Sequence, residues 1–311
     1  MTKLPLLRLF LILAIAGISA AIVAGFVGFV HPALDTAAHF RLHLAAGLFV
    51  LAVAAIAMRA RRAGGAAMVL ALAAAASCWQ AFPASFAGAA PQGKLHSLLF
   101  FNMRYDNPAP ERVIEMIRQT NADLVLLTEY SRMWEPRLVA LHGSYPHRYH
   151  CAEWRDVGGT VVFSRFPLEP GYCHAYAALG LARADINGVP VTIGAAHMRW
   201  PWPASGPRQL RELRPVLDGL GPDALVAGDF NATVWSDAVA SFAHNGGLEI
   251  VPGIGPTWMI SQVPASLARF MGLPIDNVLA KGAVKVVSAK TLPPHGSDHL
   301  PILVTFNVNP G

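Results

Sequence analysis

A long uncharged run near the N-terminus constrains this chain more than any other feature. Residues 9–30, LFLILAIAGISAAIVAGFVGFV, contain no Asp, Glu, Lys or Arg. Folded as an α-helix, the run would be roughly 33 Å long, which is enough to cross the hydrocarbon core of a bilayer. It therefore predicts a transmembrane helix. A cleaved signal peptide is the alternative interpretation of this run taken alone.

Two more apolar stretches follow the first. Residues 42–58 and residues 63–82 contain no Asp, Glu, Lys or Arg, and the whole chain has a mean hydropathy of +0.41. Each stretch predicts a further span, which favours an anchor over a signal peptide for the first run. A helical hairpin buried in a soluble core is the remaining alternative. We therefore predict a membrane anchor of three transmembrane helices over 1–86 and a linker over 87–96.

The positive charges between these stretches predict the orientation of the chain. Lys3 and Arg8 precede the first predicted span, and Arg59, Arg61 and Arg62 separate the second from the third. Because short basic loops stay in the cytoplasm, the third span would end on the opposite side. The expected location is a multi-pass protein of the inner (cell) membrane with its C-terminal domain periplasmic or extracellular. The bilayer is therefore an expected partner.

Charge is distributed unevenly along the chain. The segment 94–311 holds 18 of the 24 Lys and Arg and 18 of the 19 Asp and Glu, so its formal net charge is zero. The net charge of +5 comes from the N-terminal part. A non-specific nucleic-acid binder needs a basic face to neutralise phosphates, and this segment contains no run of Lys and Arg. The composition therefore gives no strong support for a nucleic-acid partner.

Two cysteines lie in the segment predicted to be exported. Cys151 and Cys173 could form a disulfide in an oxidising compartment, or each could be a small buried side chain. The sequence leaves both alternatives open. It also leaves the oligomeric state undetermined.

Short apolar runs of strand length recur after residue 96. They lie at 97–101, 124–127, 160–164, 191–196, 224–228, 277–280, 284–289 and 301–306. Helical patterns at 110–120, 208–220 and 236–247 alternate with some of them. Many short strands with a few interspersed helices predict an α+β or αββα layered domain over 97–311.

Polar side chains occur where many of these runs begin or end. They are Asn102, Glu129, His197, Asp229, Asn231, Asp276, Ser297, Asp298 and His299. Any one of them could be a cap or a turn residue, but so many in one domain favour a site. Hard oxygen ligands of this kind suit Mg²⁺, Mn²⁺ or Ca²⁺, and such an ion with nearby histidines can hydrolyse a phosphoester. The sequence contains no CxxC, HExxH, GxSxG, Walker or GxGxxG pattern.

The order of these motifs resembles a known family. FFN (100–102), LLTE (126–129), AAH (195–197), GDFNAT (228–233), IDNVL (275–279) and SDHLPI (297–302) follow one another along the chain. The set resembles the endonuclease/exonuclease/phosphatase superfamily, and the three predicted spans resemble its membrane-anchored bacterial branch. The resemblance implies the DNase I-like fold, a four-layer αββα sandwich.

The resemblance also implies residue roles. Metal-binding or metal-supporting groups are expected at Asn102, Glu129 and Asp298. Catalytic groups are expected at His197 as a phosphate contact or proton donor, at Asn231 as an amide on the phosphate and at Asp229 as the group that orients or deprotonates the attacking water. His299 is expected as a phosphate contact and Asp276 as the residue orienting a histidine. Asn277 departs from the pattern, since we associate a histidine with this position in the membrane-linked branch.

Together these observations predict a membrane-anchored, Mg²⁺-dependent phosphohydrolase, with Mn²⁺ as an alternative ion. Its substrate would be a phosphoester or pyrophosphate outside the cytoplasm, and a lipid head group is a candidate. An extracytoplasmic metal-dependent nuclease is one alternative. A non-catalytic binding domain tethered to the membrane is the other.

Overall fold

The N-terminal part of the chain is helical. The computed structural model describes residues 3–90, 93–151, 157–174, 178–260 and 265–309. The first α-helices in these ranges are α1 (Lys3–Phe26), α2 (Pro32–His39), α3 (Arg41–Ala57) and α4 (Arg61–Ser77).

Membrane-spanning capacity is concentrated in α1. Within the described residues, its segment Leu6–Phe26 is the one helix long and apolar enough to cross a bilayer, judged by length and composition alone. Helices α2 and α3 meet the same criterion together, but they are bent by 65° at Phe40. A signal sequence near the N-terminus would also meet it, so that alternative stays open.

By this criterion, the predicted number of three transmembrane helices is too high. The described residues offer one such helix, or two if the bent pair forms one span. Helices α3 and α4 have 17 residues each, or roughly 26 Å, because their apolar runs are interrupted around Phe40 and at the Arg59–Arg62 loop. Their positions match the second and third predicted spans, but their lengths fall short.

Small side chains line the contact between α3 and α4. Ala52 and Ala55 lie in one buried cluster with Ala67, Ala71 and Ala74. Alanines let two helix backbones approach closely, which is how helices pack in an apolar environment where the hydrophobic effect is weak.

The rest of the chain forms two six-stranded sheets. In the described residues the strands are β1 (Leu95–Asn102), β2 (Leu124–Tyr130), β3 (His147–Cys151), β4 (Gly159–Ser164), β5 (Leu168–Cys173), β6 (Leu179–Ile186), β7 (Val189–His197), β8 (Ala224–Asp229), β9 (Glu249–Ile250), β10 (Asp276–Lys281), β11 (Val284–Thr291) and β12 (Ile302–Val308). The first sheet has the order β11-β12-β1-β2-β4-β3, and the second has the order β5-β6-β7-β8-β10-β9. Pairs β1–β2 and β7–β8 are parallel, so both sheets are mixed.

Side chains along each strand point alternately to the two faces of its sheet, so one strand contributes to two layers of the sandwich. Leu98 and Phe100 of β1 pack between the sheets with Ile193 of β7, whereas Leu99 and Phe101 pack on the outer face of the first sheet. Successive strand residues point to opposite faces, so one apolar run serves both layers.

Helices cover the two outer faces. They are α5 (Pro110–Thr120), α6 (Glu135–Leu138), α7 (Gly206–Asp218) and α8 (Asp237–Gly246), and a further helix, α9 (Ala265–Met271), lies between β9 and β10 in the chain. Ile117 of α5 packs on the first sheet, and Leu213 of α7 and Phe242 of α8 pack on the second. The predicted α+β fold, an αββα sandwich, is therefore confirmed.

The eight predicted strands and three predicted helices are all present. The prediction missed β3, β5, β6 and β9, and also the short helices α6 and α9. Strands β3 (HRYHC) and β5 (LEPGYC) lie at sheet edges and expose much of their length, so they lack an apolar run.

A disulfide joins the two sheets. Cys151 at the end of β3 is bonded to Cys173 at the end of β5, with 5.3 Å between their Cα atoms. Of the two alternatives that the sequence leaves open, the structure has the paired one. Cys78 is a buried free thiol.

Candidate active site

The polar residues predicted from strand ends lie at one edge of the sandwich. Strands β1 and β2 run parallel, and so do β7 and β8, so the carboxyl ends of each pair lie side by side. Asn102 ends β1, His197 ends β7 and Asp229 ends β8.

Strand register places three of these side chains together. Asp229 is opposite His197 in the parallel pair β7–β8 and opposite Asp276 in the antiparallel pair β8–β10. Gly228 allows the close approach, since a Cβ there would collide with the carbonyl and side chain of Ala196.

Asn102 connects the two sheets. Its Nδ2 donates to Glu129 Oε1 and to Asp229 Oδ2, both at 3.0 Å. Its Oδ1 accepts the backbone N–H of Arg104 at 3.0 Å, which fixes the orientation of the amide. One buried amide group therefore brings two carboxylates from different sheets to the same point.

Glu129 occupies an unusual backbone conformation. Its φ is 59°, at an irregularity in the pairing of β2 with β4. A left-handed conformation is uncommon outside glycine and marks a position that its surroundings constrain. The Glu129 Oε2 accepts the backbone N–H of Tyr105 at 2.8 Å, and the side chain keeps 14% of its surface exposed.

Asp229 is a buried carboxylate at the centre of the site. Its Oδ1 accepts the backbone N–H of Asn231 at 2.8 Å, and its Oδ2 lies 3.7 Å from His197 Nε2 and 3.6 Å from His299 Nε2. Burial raises the pKa of Asp229 to about 6, although both histidines act to lower it. The carboxylate is therefore ionised at neutral pH and close to the pKa range useful for a general base.

His299 and Asp276 form a buried pair behind Asp229. His299 Nδ1 lies 2.8 Å from Asp276 Oδ2, and the Asp276 N–H donates to Thr257 Oγ1 at 3.1 Å. Burial lowers the pKa of His299, but the charges of Asp276 and Asp229 outweigh burial and raise it to about 10. His299 is therefore an imidazolium at neutral pH, with Nε2 directed toward Asp229.

Asp298 and Asn231 make contacts that the sequence does not reveal. Asp298 Oδ2 accepts the indole N–H of Trp258 at 3.1 Å. The side-chain Nδ2 of Asn231 donates to the Met198 carbonyl at 2.8 Å. The structure thus places all eight predicted residues at this edge, with Asp298 turned toward Trp258.

Comparison with known protein families identifies the family to which this chain belongs. The family described as "Endonuclease/Exonuclease/phosphatase family" matches residues 99–299. The chain belongs to this family. The predicted metal-dependent phosphoric ester hydrolase is confirmed at the level of this family and its structural neighbours. A search of curated proteins finds no match.

Solved structures share the fold of this endonuclease/exonuclease/phosphatase protein. A humanized TDP2 from D. rerio is 18% identical with a TM-score of 0.53, covering 69% of this chain and 99% of that chain. An endonuclease/exonuclease/phosphatase from Beutenbergia cavernae is 20% identical with a TM-score of 0.54, covering 70% of this chain and 72% of that chain. An AP endonuclease from Archaeoglobus fulgidus is 16% identical with a TM-score of 0.53, covering 68% of this chain and 100% of that chain.

The family is metal-dependent, usually with Mg²⁺ or Mn²⁺, and the donor set fits such an ion. Oxygens of Glu129 and Asp229 both accept from the Asn102 amide nitrogen and so lie close together, and carboxylate oxygens are hard ligands of the kind that these ions bind. Among the described residues, the compact cluster of acids and histidine is Asp229, Asp276 and His299, whose ligand atoms lie within 4.8 Å of one another. In that cluster His299 Nδ1 and Asp276 Oδ2 already form a hydrogen-bonded pair at 2.8 Å.

Several contacts of the site could not be found from sequence patterns. Thr257, Trp258 and the backbone of Tyr105 each hold a site carboxylate or its strand, but none lies in a distinctive motif. Asn277, the position that departs from the expected pattern, donates to the carbonyls of Ala232 and Ile275 and so braces the loop after β8.

Proposed function

We propose that this chain is a membrane-anchored, Mg²⁺-dependent phosphohydrolase that acts outside the cytoplasm on a lipid-linked phosphoester or pyrophosphate. The observation that carries the proposal is the convergence of Glu129, Asp229, His197 and His299 on one edge of the sandwich. Mn²⁺ is the alternative ion.

The proposed division of roles follows the geometry. Glu129 and Asn102 would hold the ion, with Asp298 as a further candidate ligand, and the chemistry supplied there would be neutralisation of charge on the phosphoryl oxygens. Asp229 accepts a proton from the attacking water, since it is an ionised carboxylate with a pKa of about 6.

The remaining groups act on the phosphate. The His299 imidazolium contacts a phosphoryl oxygen through Nε2, and Asp276 fixes its ring and its charge through Nδ1. His197 Nε2 lies between the carboxylates of Glu129 and Asp229 and serves as a phosphate contact or proton donor. Asn231 contributes its amide at the same phosphate.

A cavity between the two parts of the chain supports a lipid substrate. It measures about 230 Å³ and is lined by Phe29 and Pro32 from the N-terminal part and by Met198 and Phe230 from the loops after β7 and β8, and the eight site residues are not among its lining residues. Arg199 and Arg211 in its wall are balanced by Asp35 and Asp237. Apolar walls with a few charged groups are typical of sites for amphiphilic ligands.

The domain organisation and location remain part of the proposal. Residues 1–86 would anchor the chain, 87–96 would link, and 97–311 would be the catalytic domain. The basic loop at Arg59–Arg62 supports a cytoplasmic position for that loop, and the Cys151–Cys173 disulfide supports an oxidising compartment for the domain.

The test uses the full-length protein in detergent after removal of metal with a chelator. Hydrolysis of a lipid pyrophosphate, a phosphodiester lipid, an inositol phosphate and single-stranded DNA is followed by separating substrate from products, each with and without Mg²⁺, because cleavage of a phosphodiester releases no inorganic phosphate. Asp229→Asn is the inactive variant, and Asp218→Asn, at an exposed position of α7, is its matched control. Preference for a lipid supports the proposal, preference for DNA replaces it with a nuclease, and failure on all four contradicts the proposed substrate class.

A further inference from the structure

The short helix α2 lies against the loops that follow β7 and β8, the strands that end in His197 and Asp229. The indole N–H of Trp235 donates to the Ala38 carbonyl at 2.7 Å, which attaches the loop after β8. The Thr36 hydroxyl donates to the Trp202 carbonyl at 3.3 Å, which attaches the loop after β7. The N-terminal helices are thus in direct contact with the catalytic edge.

A buried carboxylate strengthens this contact. Asp35 Oδ1 accepts the backbone N–H of Asp237 at 2.7 Å, and Oδ2 accepts that of Ala238 at 3.0 Å. These are the first N–H groups of α8, where a carboxylate is favourable because it meets unpaired donors and the positive end of the helix dipole. Asp35 therefore fixes α2 at the start of the helix that follows the site loop.

His39 extends from this anchored helix to the site loop itself. Its Nδ1 lies 2.8 Å from the Asp35 carbonyl, and its Nε2 lies 3.2 Å from the Asn231 carbonyl. Both partners are acceptors and burial lowers the pKa of His39, so the neutral ring donates to one of them, and it donates to Asn231 when the proton is on Nε2. The side chain is fully buried, with its ring 5.4 Å from that of Trp200.

Asn231 needs such support because of its conformation. Its φ is 47°, in the left-handed region, and its N–H donates to Asp229 Oδ1 at 2.8 Å. Its side chain is held by Met198, and its carbonyl faces His39. Three separate contacts therefore fix the residue that orients the Asp229 carboxylate.

We propose that His39, in the N-terminal helical part, is a positioning residue of the active site. It holds the Asn231 carbonyl, and thereby the N–H that directs Asp229, without itself reaching the substrate. The inference rests on the proposed function in taking Asp229 and Asn231 as site groups. It makes the N-terminal helices a functional component of the site in addition to any role as an anchor.

Three variants of the full-length protein in detergent test this inference. His39→Leu removes the ring N–H donor, His39→Gln keeps an N–H donor of similar reach, and His147→Leu is a control on β3. The probe is bis(p-nitrophenyl) phosphate with Mg²⁺. We expect His39→Leu to lower kcat about 10- to 100-fold with little change in KM, since misplacement acts on the chemical step. His39→Gln should recover most of the loss, and His147→Leu should leave kcat unchanged.

Amide hydrogen exchange over residues 229–233 gives a readout that does not depend on activity. Exchange should be faster in His39→Leu than in the wild type or in His39→Gln, with β4 unchanged as an internal control. Unchanged kcat and exchange in His39→Leu would overturn the inference, and so would equal losses in both His39 variants. If the wild type does not hydrolyse bis(p-nitrophenyl) phosphate, the proposed function is contradicted for this probe. Amide hydrogen exchange over residues 229–233 then decides by itself whether His39 positions Asn231.

Discussion

The two sheets contribute different kinds of group to the site. The first sheet supplies Asn102 and Glu129, which are held partly by main-chain N–H groups and leave Glu129 partly exposed. The second sheet supplies Asp229 and Asp276, which are fully enclosed and lie within contact distance of histidine nitrogens. An accessible carboxylate can exchange a cation with solvent, whereas an enclosed one has its proton affinity set by its neighbours. We therefore expect the groups of the first sheet to bind the metal ion and those of the second sheet to transfer protons. These two sets of residues are called the metal half and the proton half of the site.

Removing the charge of the enclosed carboxylate is the strongest test of this division. Asp229→Asn keeps the shape but cannot accept a proton, so kcat should fall by about 10³-fold, in the range attributed to general bases. Mn²⁺ affinity, followed by calorimetry, should change far less than kcat. Asp218→Asn controls for loss of one acidic charge. A kcat near that of the wild type would remove Asp229 from the proton half.

The corresponding change in the first sheet should give the opposite pattern. Glu129→Gln should weaken Mn²⁺ binding by at least about tenfold, because even the groups that support metal ligands have effects of this size. Activity should return in part at high metal concentration. Glu115→Gln, at an exposed position of α5, is the matched control. If metal affinity is unchanged, the ion is held elsewhere and the two halves are not divided as proposed.

Asp276→Asn should produce a smaller loss of the same type as Asp229→Asn. The substitution removes the charge that holds His299 protonated, so the pKa of His299 should fall and the alkaline limb of the kcat profile should move to lower pH. The decrease in kcat at neutral pH should be about tenfold. A pH profile that matches the wild type would show that Asp276 does not act through His299.

The smallest expected effect concerns stability at alkaline pH. The pKa of His299 is raised in the folded protein to about 10, so its stabilising contribution is complete below its ordinary pKa and is lost as pH rises toward 10. The melting temperature of the metal-free protein should therefore decrease between pH 7 and pH 10, and less steeply in His299→Gln. Asp229 adds no slope in this range because its titration, near pH 6, is complete. If the melting temperatures of the wild type and of His299→Gln decreased equally with pH, His299 would not be charged in the folded protein.

Much of the site could be predicted from the sequence, because a buried strand appears as a continuous apolar run. The runs before Asn102 and Asp229 are apolar on both faces, and each ends at a polar residue that local sequence identifies. Edge strands such as β3 have no such signal, since one side faces solvent and tolerates polar residues.

What could not be predicted depends on contacts between distant segments. Trp258 reaches Asp298 across 40 residues, and His39 reaches Asn231 across 192. No periodicity or motif encodes such pairs. The bend at Phe40 was not predicted, since the predicted second span begins at residue 42 and the sequence alone does not show that α2 meets α3 at a bend of 65°.

The attachment of α2 to the catalytic edge determines how the enzyme meets its substrate. With α1 in a bilayer, as proposed, Asp35 and Trp235 leave the edge little freedom to move away from the lipid surface. A lipid substrate then arrives by lateral diffusion in two dimensions, at a height set by the protein rather than by a loose tether. Turnover of such a substrate would follow its surface density in the membrane, and diluting it with inert lipid would slow the enzyme at constant bulk concentration.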